Sequence, residues 1–113
     1  MSIQVSSELL DGMVLALLKR EDMYGYIITN RIAESVSISV STMYPVLRRL
    51  TTAGLLETYD KPFQGRNRRY YRITVAGRMK LVEILKDWEQ YKISLDEILY
   101  PENEKHRTRE GVK

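Results

Sequence analysis

The stretch Ser41-Thr42-Met43-Tyr44-Pro45-Val46-Leu47-Arg48-Arg49-Leu50 decides the fold of this 113-residue chain. Ala53-Gly54 supplies a turn after it, and two runs of strand-forming character follow, LLETY at 55–59 and RYYRI at 69–73. The segment between the runs, KPFQGRNR at 61–68, is basic and rich in turn residues. A helix followed by a hairpin with a cationic tip is typical of a winged helix-turn-helix, in which the helix enters the major groove of DNA and the hairpin, called the wing, contacts the flanking backbone.

The helix predicted at this stretch has one apolar and one polar face. Its apolar residues recur at i, i+3, i+4 and i+7, which places them on one side: Met43, Val46, Leu47 and Leu50. Residues outside that stripe are the candidates for DNA contact: Ser41, Thr42, Tyr44, Arg48 and Arg49. We expect the first three to face the major groove, because hydroxyls can reach base edges, and the two arginines to hold phosphate. The alternative for Tyr44 is a place in the core.

Pro45 bears on where this helix begins. Proline is tolerated in the first turn of a helix but disrupts a helix interior. With Ser41 as the N-cap, Pro45 lies near the end of the first turn, whereas with Ser39 it lies deeper. We therefore favour Ser41 as the N-cap, and Gly54 suits the C-terminal end of the helix.

The hairpin predicts the rest of a DNA-binding surface. We expect four residues around its tip to contact phosphates or the minor groove, the alternative being a solvated loop: Gly65, Arg66, Arg68 and Arg69. Apolar and polar residues alternate strictly at 36–40 (VSISV), which predicts a third strand that pairs with the hairpin.

Charge is concentrated in the same region. The whole chain has a net charge of +3, but residues 35–82 contain nine basic and two acidic residues, a net charge of +7. The remainder contains nine basic and thirteen acidic residues, a net charge of −4. A basic middle between acidic ends favours a polyanion, and nucleic acid above all, as the binding partner.

The rest of the chain predicts helices around this unit. A first helix runs from Ser6 or Ser7 to about Arg20, a second from 24 to 34, and a long fourth helix begins after Thr74, which can cap it. The fold class is therefore mainly α with a small three-stranded sheet. We divide the chain into a winged-helix DNA-binding domain at 1–74, a C-terminal dimerisation helix at 75–100, and a polar tail at 101–113 that we expect to be disordered.

The fourth helix has a heptad stripe. Its apolar residues follow each other at steps of three and four, as in a helix-pairing seam: Leu81, Ile84, Trp88, Tyr91, Leu95 and Ile98. Because the first three helices already supply a core, we interpret this stripe as the interface of a homodimer. Two subunits would place their DNA-contacting helices about 34–36 Å apart, which predicts an inverted-repeat operator.

Several classes of protein are disfavoured. The chain has no cysteine and one histidine, His106, so no thiolate metal site, other metal centre or Ser/His/Asp set can be assembled, and we expect no cofactor. Glu83 and Asp87 are spaced as a carboxylate pair, but neighbouring lysines favour a solvated helix face over an enzyme site. No apolar run reaches the roughly 18 residues of a membrane helix, and no signal peptide is visible, so we expect a cytoplasmic protein.

Three segments resemble the PadR family of bacterial transcriptional regulators, specifically its short subfamily with one C-terminal helix. They are YGYII at 24–28, TMYPVLRRL at 42–50 with GLL at 54–56, and RRYYRIT at 68–74 with Gly77. The chain departs from the family pattern at Ile27, where glutamate is frequent, at Arg69, where lysine is common, and mildly at Ser41. The three segments in this order are specific, although each alone is weak.

The resemblance implies a homodimeric winged-helix repressor that a small molecule releases from its operator. Some short-subfamily members bind planar compounds between paired tryptophans, and the heptad places the lone Trp88 on the seam. We therefore expect any inducer site at Trp88, with Leu9, Met13 and Ala16 of the first helix as its remaining wall; the alternative is that Trp88 only fills the interface. The competing function is a winged-helix protein-interaction module without DNA binding, which Phe63 alone favours.

Overall fold

The computed structural model describes residues 3–102, which form four helices and a three-stranded antiparallel sheet. In chain order the elements are α1 (Ser7–Arg20), β1 (Met23–Tyr24), α2 (Gly25–Val36), α3 (Val40–Thr52), β2 (Leu56–Phe63), β3 (Arg66–Ile73) and α4 (Val75–Leu99). This confirms the predicted fold class, a winged helix-turn-helix with a long C-terminal helix. Most of the tail expected to be disordered, from 103 onward, lies outside the described residues, as does His106.

Three helices begin at a Ser or Thr whose hydroxyl accepts a backbone hydrogen bond, and for α3 this residue is not the one that we expected. Ser6 caps α1 by accepting a hydrogen bond from the Leu9 amide at 3.2 Å, and Thr74 caps α4 by accepting one from the Gly77 amide at 3.0 Å. The preference for Ser41 as the cap of α3 is wrong, because Ser39 holds that position and accepts a hydrogen bond from the Thr42 amide at 3.3 Å.

Pro45 consequently lies inside α3, deeper than we expected. A proline has no N–H, so the turn that ends at Pro45 forms without one backbone hydrogen bond. Four buried residues on the apolar face of α3 hold the helix against the core despite that loss: Met43, Val46, Leu47 and Leu50.

The third strand is not where the alternating pattern placed it, so the prediction for 36–40 is wrong. Helix α2 continues through Val36, and Ser37 ends it in the left-handed region, with φ of 57° and an amide that donates to the Ala33 carbonyl at 3.0 Å. Val36 and Ile38 are apolar because they pack against the core at the turn between two helices. The strand that completes the sheet is β1, where Met23 pairs with Tyr71 and Tyr24 with Tyr70.

The N-terminal half of α4 packs into the core of its own chain. Leu81 and Ile84 are each 2% exposed, and Ile84 packs against α1 so closely that a Cβ added to Gly12 would lie 2.8 Å from its Cγ2 methyl. The assignment of Leu81 and Ile84 to a seam between subunits is therefore corrected, because both are already covered by their own chain. Beyond Ile84, α4 has no buried residue up to its end at Leu99. No helix among residues 3–102 is long and apolar enough to span a membrane.

Candidate nucleic-acid interface

The first turn of α3 presents a cluster of hydroxyl groups to solvent. Ser41, Thr42 and Tyr44 are all exposed, Tyr44 to 40%. The Ser39 hydroxyl lies 2.7 Å from the Thr42 hydroxyl and 3.3 Å from that of Ser41, so the N-cap also orients its two neighbours. Tyr44 rests its ring against Gly25 of α2, within 3.5 Å of where a Cβ would lie, so it is a surface residue and not a core aromatic.

The two arginines of α3 have different surroundings. Arg49 forms a two-bond ion pair with Asp11 of α1, with nitrogen–oxygen distances of 2.7 and 3.1 Å. That hydrogen bonding raises the pKa of the Arg49 guanidinium above its ordinary value. Arg48 is exposed and has no ion pair with any residue in 3–102. Of the two, Arg48 is the one available to an external anion.

The tip of the wing is a tight two-residue turn. Gln64 and Gly65 have φ of 52° and 78°, and Phe63 pairs directly with Arg66 across the turn. Positive φ at both central positions is the type I′ geometry whose twist matches a hairpin, and Gly65 adopts it without strain. Much of the segment that sequence suggested as loop is therefore strand, and Pro62 is tolerated there because β2 is an edge strand.

The wing arginines are held in three different ways. Arg66 is exposed beside the turn and forms no ion pair within the described chain. Arg69 lies 3.6 Å from the Asp60 carboxylate, with both side chains largely in solvent. The Arg68 guanidinium lies between two aromatic rings, 4.1 Å from the centre of Tyr24 and 3.5 Å from that of Phe63.

One face of the sheet forms a row of tyrosines that sequence reasoning missed. Ring centres are 5.7 Å apart between Tyr24 and Tyr70, and 5.6 Å apart between Tyr70 and Tyr59. Tyr26 extends the row from Tyr24 at 6.2 Å. The signal for Tyr59 and Tyr70 was present, since paired strand positions share a face, but Tyr24 could not be placed without knowing β1.

Two charged side chains contact Tyr59, the last tyrosine of this row. The Tyr59 hydroxyl donates to the Asp22 carboxylate at 2.7 Å, and this bond raises the pKa of Tyr59 above its ordinary value. Arg72 donates to Glu57 at 2.7 Å and lies over the Tyr59 ring at 4.8 Å. Arg72 is therefore occupied by contacts with Glu57 and Tyr59 within the hairpin.

A groove lies between α3 and the wing. Its volume is about 540 Å³, and its lining includes Tyr44 of α3, Gly25 and Tyr26 of α2, and Arg68 and Arg69 of β3. The structure therefore unites three of the predicted DNA-contacting residues in one concave surface. Arg66 lies in an adjoining groove with Phe63, and Arg49 in neither.

The four residues predicted to line a ligand site also lie together. A cavity of about 370 Å³ between α1 and α4 has a mostly apolar wall that includes Leu9, Met13, Ala16 and Trp88. Among residues 3–102 no group of three or more His, Asp or Glu side chains is placed to hold a metal ion.

Comparison with known proteins shows the family of this chain. The model of the transcriptional regulator PadR-like family matches residues 14–83. A crystal structure from Streptococcus mutans has 41% sequence identity and a TM-score of 0.81, with 88% of this chain and 93% of that chain covered. A PadR family transcription regulator from Clostridium difficile has 27% identity and a TM-score of 0.72, with 80% and 97% covered.

Bacillus subtilis PadR, crystallised in complex with operator DNA, has 26% identity and a TM-score of 0.62. That match covers 68% of this chain and 46% of the Bacillus protein. With the family model matched over more than half of its length, this chain belongs to the PadR-like family of transcriptional regulators.

Proposed function

We propose that this regulator is a homodimeric repressor that binds an inverted-repeat operator in double-stranded DNA and leaves it when a small ligand binds. The observation that carries the DNA-binding part is the groove in which Tyr44 meets Arg68 and Arg69, next to the exposed hydroxyls of α3. A hydroxyl-bearing helix end beside a cationic hairpin fits a major groove and its flanking phosphates. The complex of Bacillus subtilis PadR with operator DNA supports the same role here.

The proposed interface divides into two kinds of contact. Ser41, Thr42 and Tyr44 would read base edges, while Arg48, Arg66, Arg68 and Arg69 would hold the backbone, with Gly65 allowing close approach of the turn. Arg49 is the weakest candidate, because its guanidinium is bonded to Asp11. A regulator that binds DNA acts where the chromosome lies, so a cytoplasmic location is part of this proposal.

The competing function, a protein-interaction module, loses its one supporting feature. Phe63 is 41% exposed, but its ring packs against the Arg68 guanidinium at 3.5 Å. The residue therefore has a role within the wing itself. The exposed cations of the wing suit the phosphates that flank a DNA groove.

A gel-shift series with random duplex DNA tests the DNA-binding part. We expect binding at low salt that weakens steeply as salt rises, because bound cations displace counterions from DNA. Replacing Arg48 with Ala should lower the salt slope by about one unit. Absence of binding even at low salt would contradict the proposal.

The variant Thr42→Phe tests base readout. It should change the preferred sequences, recovered by selection from a random library, more than it changes the affinity for random duplex DNA.

The proposed dimer rests on the C-terminal half of α4. Tyr91 is 57% exposed, Leu95 38% and Ile98 79%, and a 25-residue helix extends about 37 Å, well beyond the core. Ile98→Asp should produce a folded monomer in sedimentation, because a buried unpaired carboxylate opposes association. Val75→Asp is the matched control, since Val75 is 76% exposed on the same helix but outside the stripe. A parental protein that sediments as a monomer at micromolar concentration would refute the dimer.

A further inference from the structure

Arg68 differs from the other arginines of the sheet in what surrounds its charge. Arg72 lies 2.7 Å from Glu57 and Arg69 lies 3.6 Å from Asp60, so each has a carboxylate that reduces its attraction for an external anion. Within residues 3–102, Arg68 has no carboxylate partner. Its neighbours are the rings of Tyr24 and Phe63, at 4.1 and 3.5 Å from its central carbon.

Stacking between rings holds a guanidinium without using its hydrogen-bond donors. All five N–H groups of arginine lie in the guanidinium plane, whereas a cation–π contact uses the faces of that plane. Two rings near the group therefore restrict its rotamers and leave the donors for something else. A long side chain fixed in advance loses less conformational entropy when it binds an anion.

The two rings come from opposite ends of the wing. Tyr24 belongs to β1 at the base, where its backbone pairs with Tyr70, and Phe63 is the last residue of β2 before the turn. Arg68 lies between these levels in β3 and is half-buried, in contrast to the exposed Arg66. It also lines the groove that contains Tyr44 of the recognition helix.

We propose that Tyr24 and Phe63 are positioning residues that hold Arg68, uncompensated in charge, as the principal phosphate-binding group of the wing. This inference rests on the proposed DNA binding and ranks the wing arginines within it. Arg68 contributes most because it is both fixed and unpaired. Arg66 is unpaired but free to move, and Arg69 is partly neutralised by Asp60.

The first test does not require DNA. In proton–nitrogen NMR spectra of arginine side chains, the Arg68 Nε–H should show a ring-current shift and restricted motion, while that of Arg66 moves freely. Phe63→Leu should reduce both features at Arg68, because the Tyr24 ring remains 4.1 Å from its guanidinium, and the double variant Tyr24→Leu, Phe63→Leu should remove them. Both variants should leave the Arg66 signal unchanged. An Arg68 signal as mobile as that of Arg66 in the parental protein would overturn the aromatic clamp, that is, the holding of Arg68 by Tyr24 and Phe63, whatever the protein binds.

The second test is a double-mutant cycle on affinity for random duplex DNA. We expect Arg68→Ala to weaken binding about tenfold, the effect of losing one charge-assisted contact, and Arg66→Ala and Arg69→Ala to weaken it less. Tyr24→Leu and Phe63→Leu should each weaken binding severalfold in the parental background and have no further effect when Arg68 is already Ala. This is the readout that a merely structural role would not give.

The outcomes of the cycle separate the two proposals. Losses that simply add would show that Tyr24 and Phe63 act independently of Arg68, which overturns the positioning role. If Arg68→Ala weakens binding to one defined duplex but not to random duplex DNA, Arg68 reads bases, which overturns phosphate as its ligand. A parental protein that binds no DNA at any salt concentration would overturn the proposed function, and the phosphate with it, while the NMR result still decides whether the clamp exists.

Discussion

Arg49 of α3 and Asp11 of α1 are joined by two hydrogen bonds of 2.7 and 3.1 Å, an ion pair that spans 38 residues of sequence. The Asp11 side chain is only 13% exposed. The pair fixes α3 to α1, the helix that also contributes Leu9, Met13 and Ala16 to the cavity at Trp88. A displacement of α1 at that cavity would therefore be transmitted to α3 through the Arg49–Asp11 ion pair.

This pairing predicts different roles for adjacent arginines. Arg49→Ala should lower the free energy of unfolding by about 1 kcal/mol, measured by urea denaturation, because it leaves the largely buried Asp11 carboxylate unpaired. It should change the salt slope of DNA binding little. Arg48→Ala should lower the salt slope by about one unit and change the free energy of unfolding little. An Arg49 variant with parental stability but a reduced slope would contradict the assignment.

The recognition helix and wing could be predicted from sequence because their signals are local. The stripe from Met43 to Leu50 and the charge of the hairpin do not depend on distant contacts. The placement of β1 does, since two residues adjacent to a helix become a strand only by pairing with Tyr70 and Tyr71. The alternation at 36–40 misled for a related reason: burial in a helix–helix turn and burial on one face of a strand select the same apolar residues.

The candidate site shows the same division. Which residues are cationic was visible in the sequence, but which cations are free was not. Arg49 is committed to Asp11 and Arg72 to Glu57, pairings between residues far apart in the chain or across a hairpin. By sequence Ile84 fits a heptad seam and a core position equally well, because core packing and helix pairing follow the same periodicity. Its close approach to Gly12 of α1 assigns it to the core.

Gly77 should be the least replaceable residue at the start of α4. A Cβ there would overlap the backbone carbonyl of Leu55 and lie 2.7 Å from Cγ1 of the buried Ile73. That carbonyl cannot move freely, because it accepts a hydrogen bond from the Thr74 amide at 3.1 Å. Gly77→Ala should therefore lower the free energy of unfolding by about 3 kcal/mol in urea denaturation.

Two controls show whether this loss comes from the carbonyl. Gly12→Ala meets only the Ile84 methyl and gains about 1 kcal/mol of helix propensity, so its net loss should be smaller. Ala76→Ser, at an exposed neighbouring site, should change stability by about 0.5 kcal/mol or less. Equal losses for the Gly77 and Gly12 variants would refute the explanation.

Alkaline pH should destabilise the fold through two tyrosines. The hydrogen bond to Asp22 raises the pKa of Tyr59 above its ordinary 10.0, and burial raises that of Tyr71 above the same value. The folded state therefore holds these protons more tightly than the unfolded state. Their contribution to stability is complete below pH 10 and is lost as pH rises through the two raised values.

Urea midpoints between pH 7 and pH 11 check this sign. Tyr59→Phe should lower the midpoint at neutral pH, because it removes the donor to Asp22, and should make the alkaline decline shallower than in the parental protein. Tyr71→Phe should make the decline shallower with little change at neutral pH. A decline as steep in the double variant as in the parent would assign it to other groups.

The cavity between α1 and α4 should bind planar aromatic molecules. Its volume of about 370 Å³ suits a small ligand, and Trp88 offers an indole face for stacking. A second cavity of about 390 Å³, with Tyr91 and Asp87 in its wall, adjoins the same tryptophan. In the proposed dimer, the symmetry axis would bring two such indoles toward each other across the seam, so that a flat molecule could lie between them.

Acridine is a suitable probe because Trp88 is the only tryptophan in the chain. Titration with acridine should quench its fluorescence and, over the same concentration range, release DNA in a gel shift. Trp88→Leu should keep DNA binding but lose release by acridine, whereas Tyr100→Ala, at an exposed position outside both cavities, should respond as the parent does. Equal release from the Trp88 variant would show that acridine acts away from Trp88, either elsewhere on the protein or by intercalating into the DNA. No quenching in the parental protein would mean that Trp88 only fills the interface.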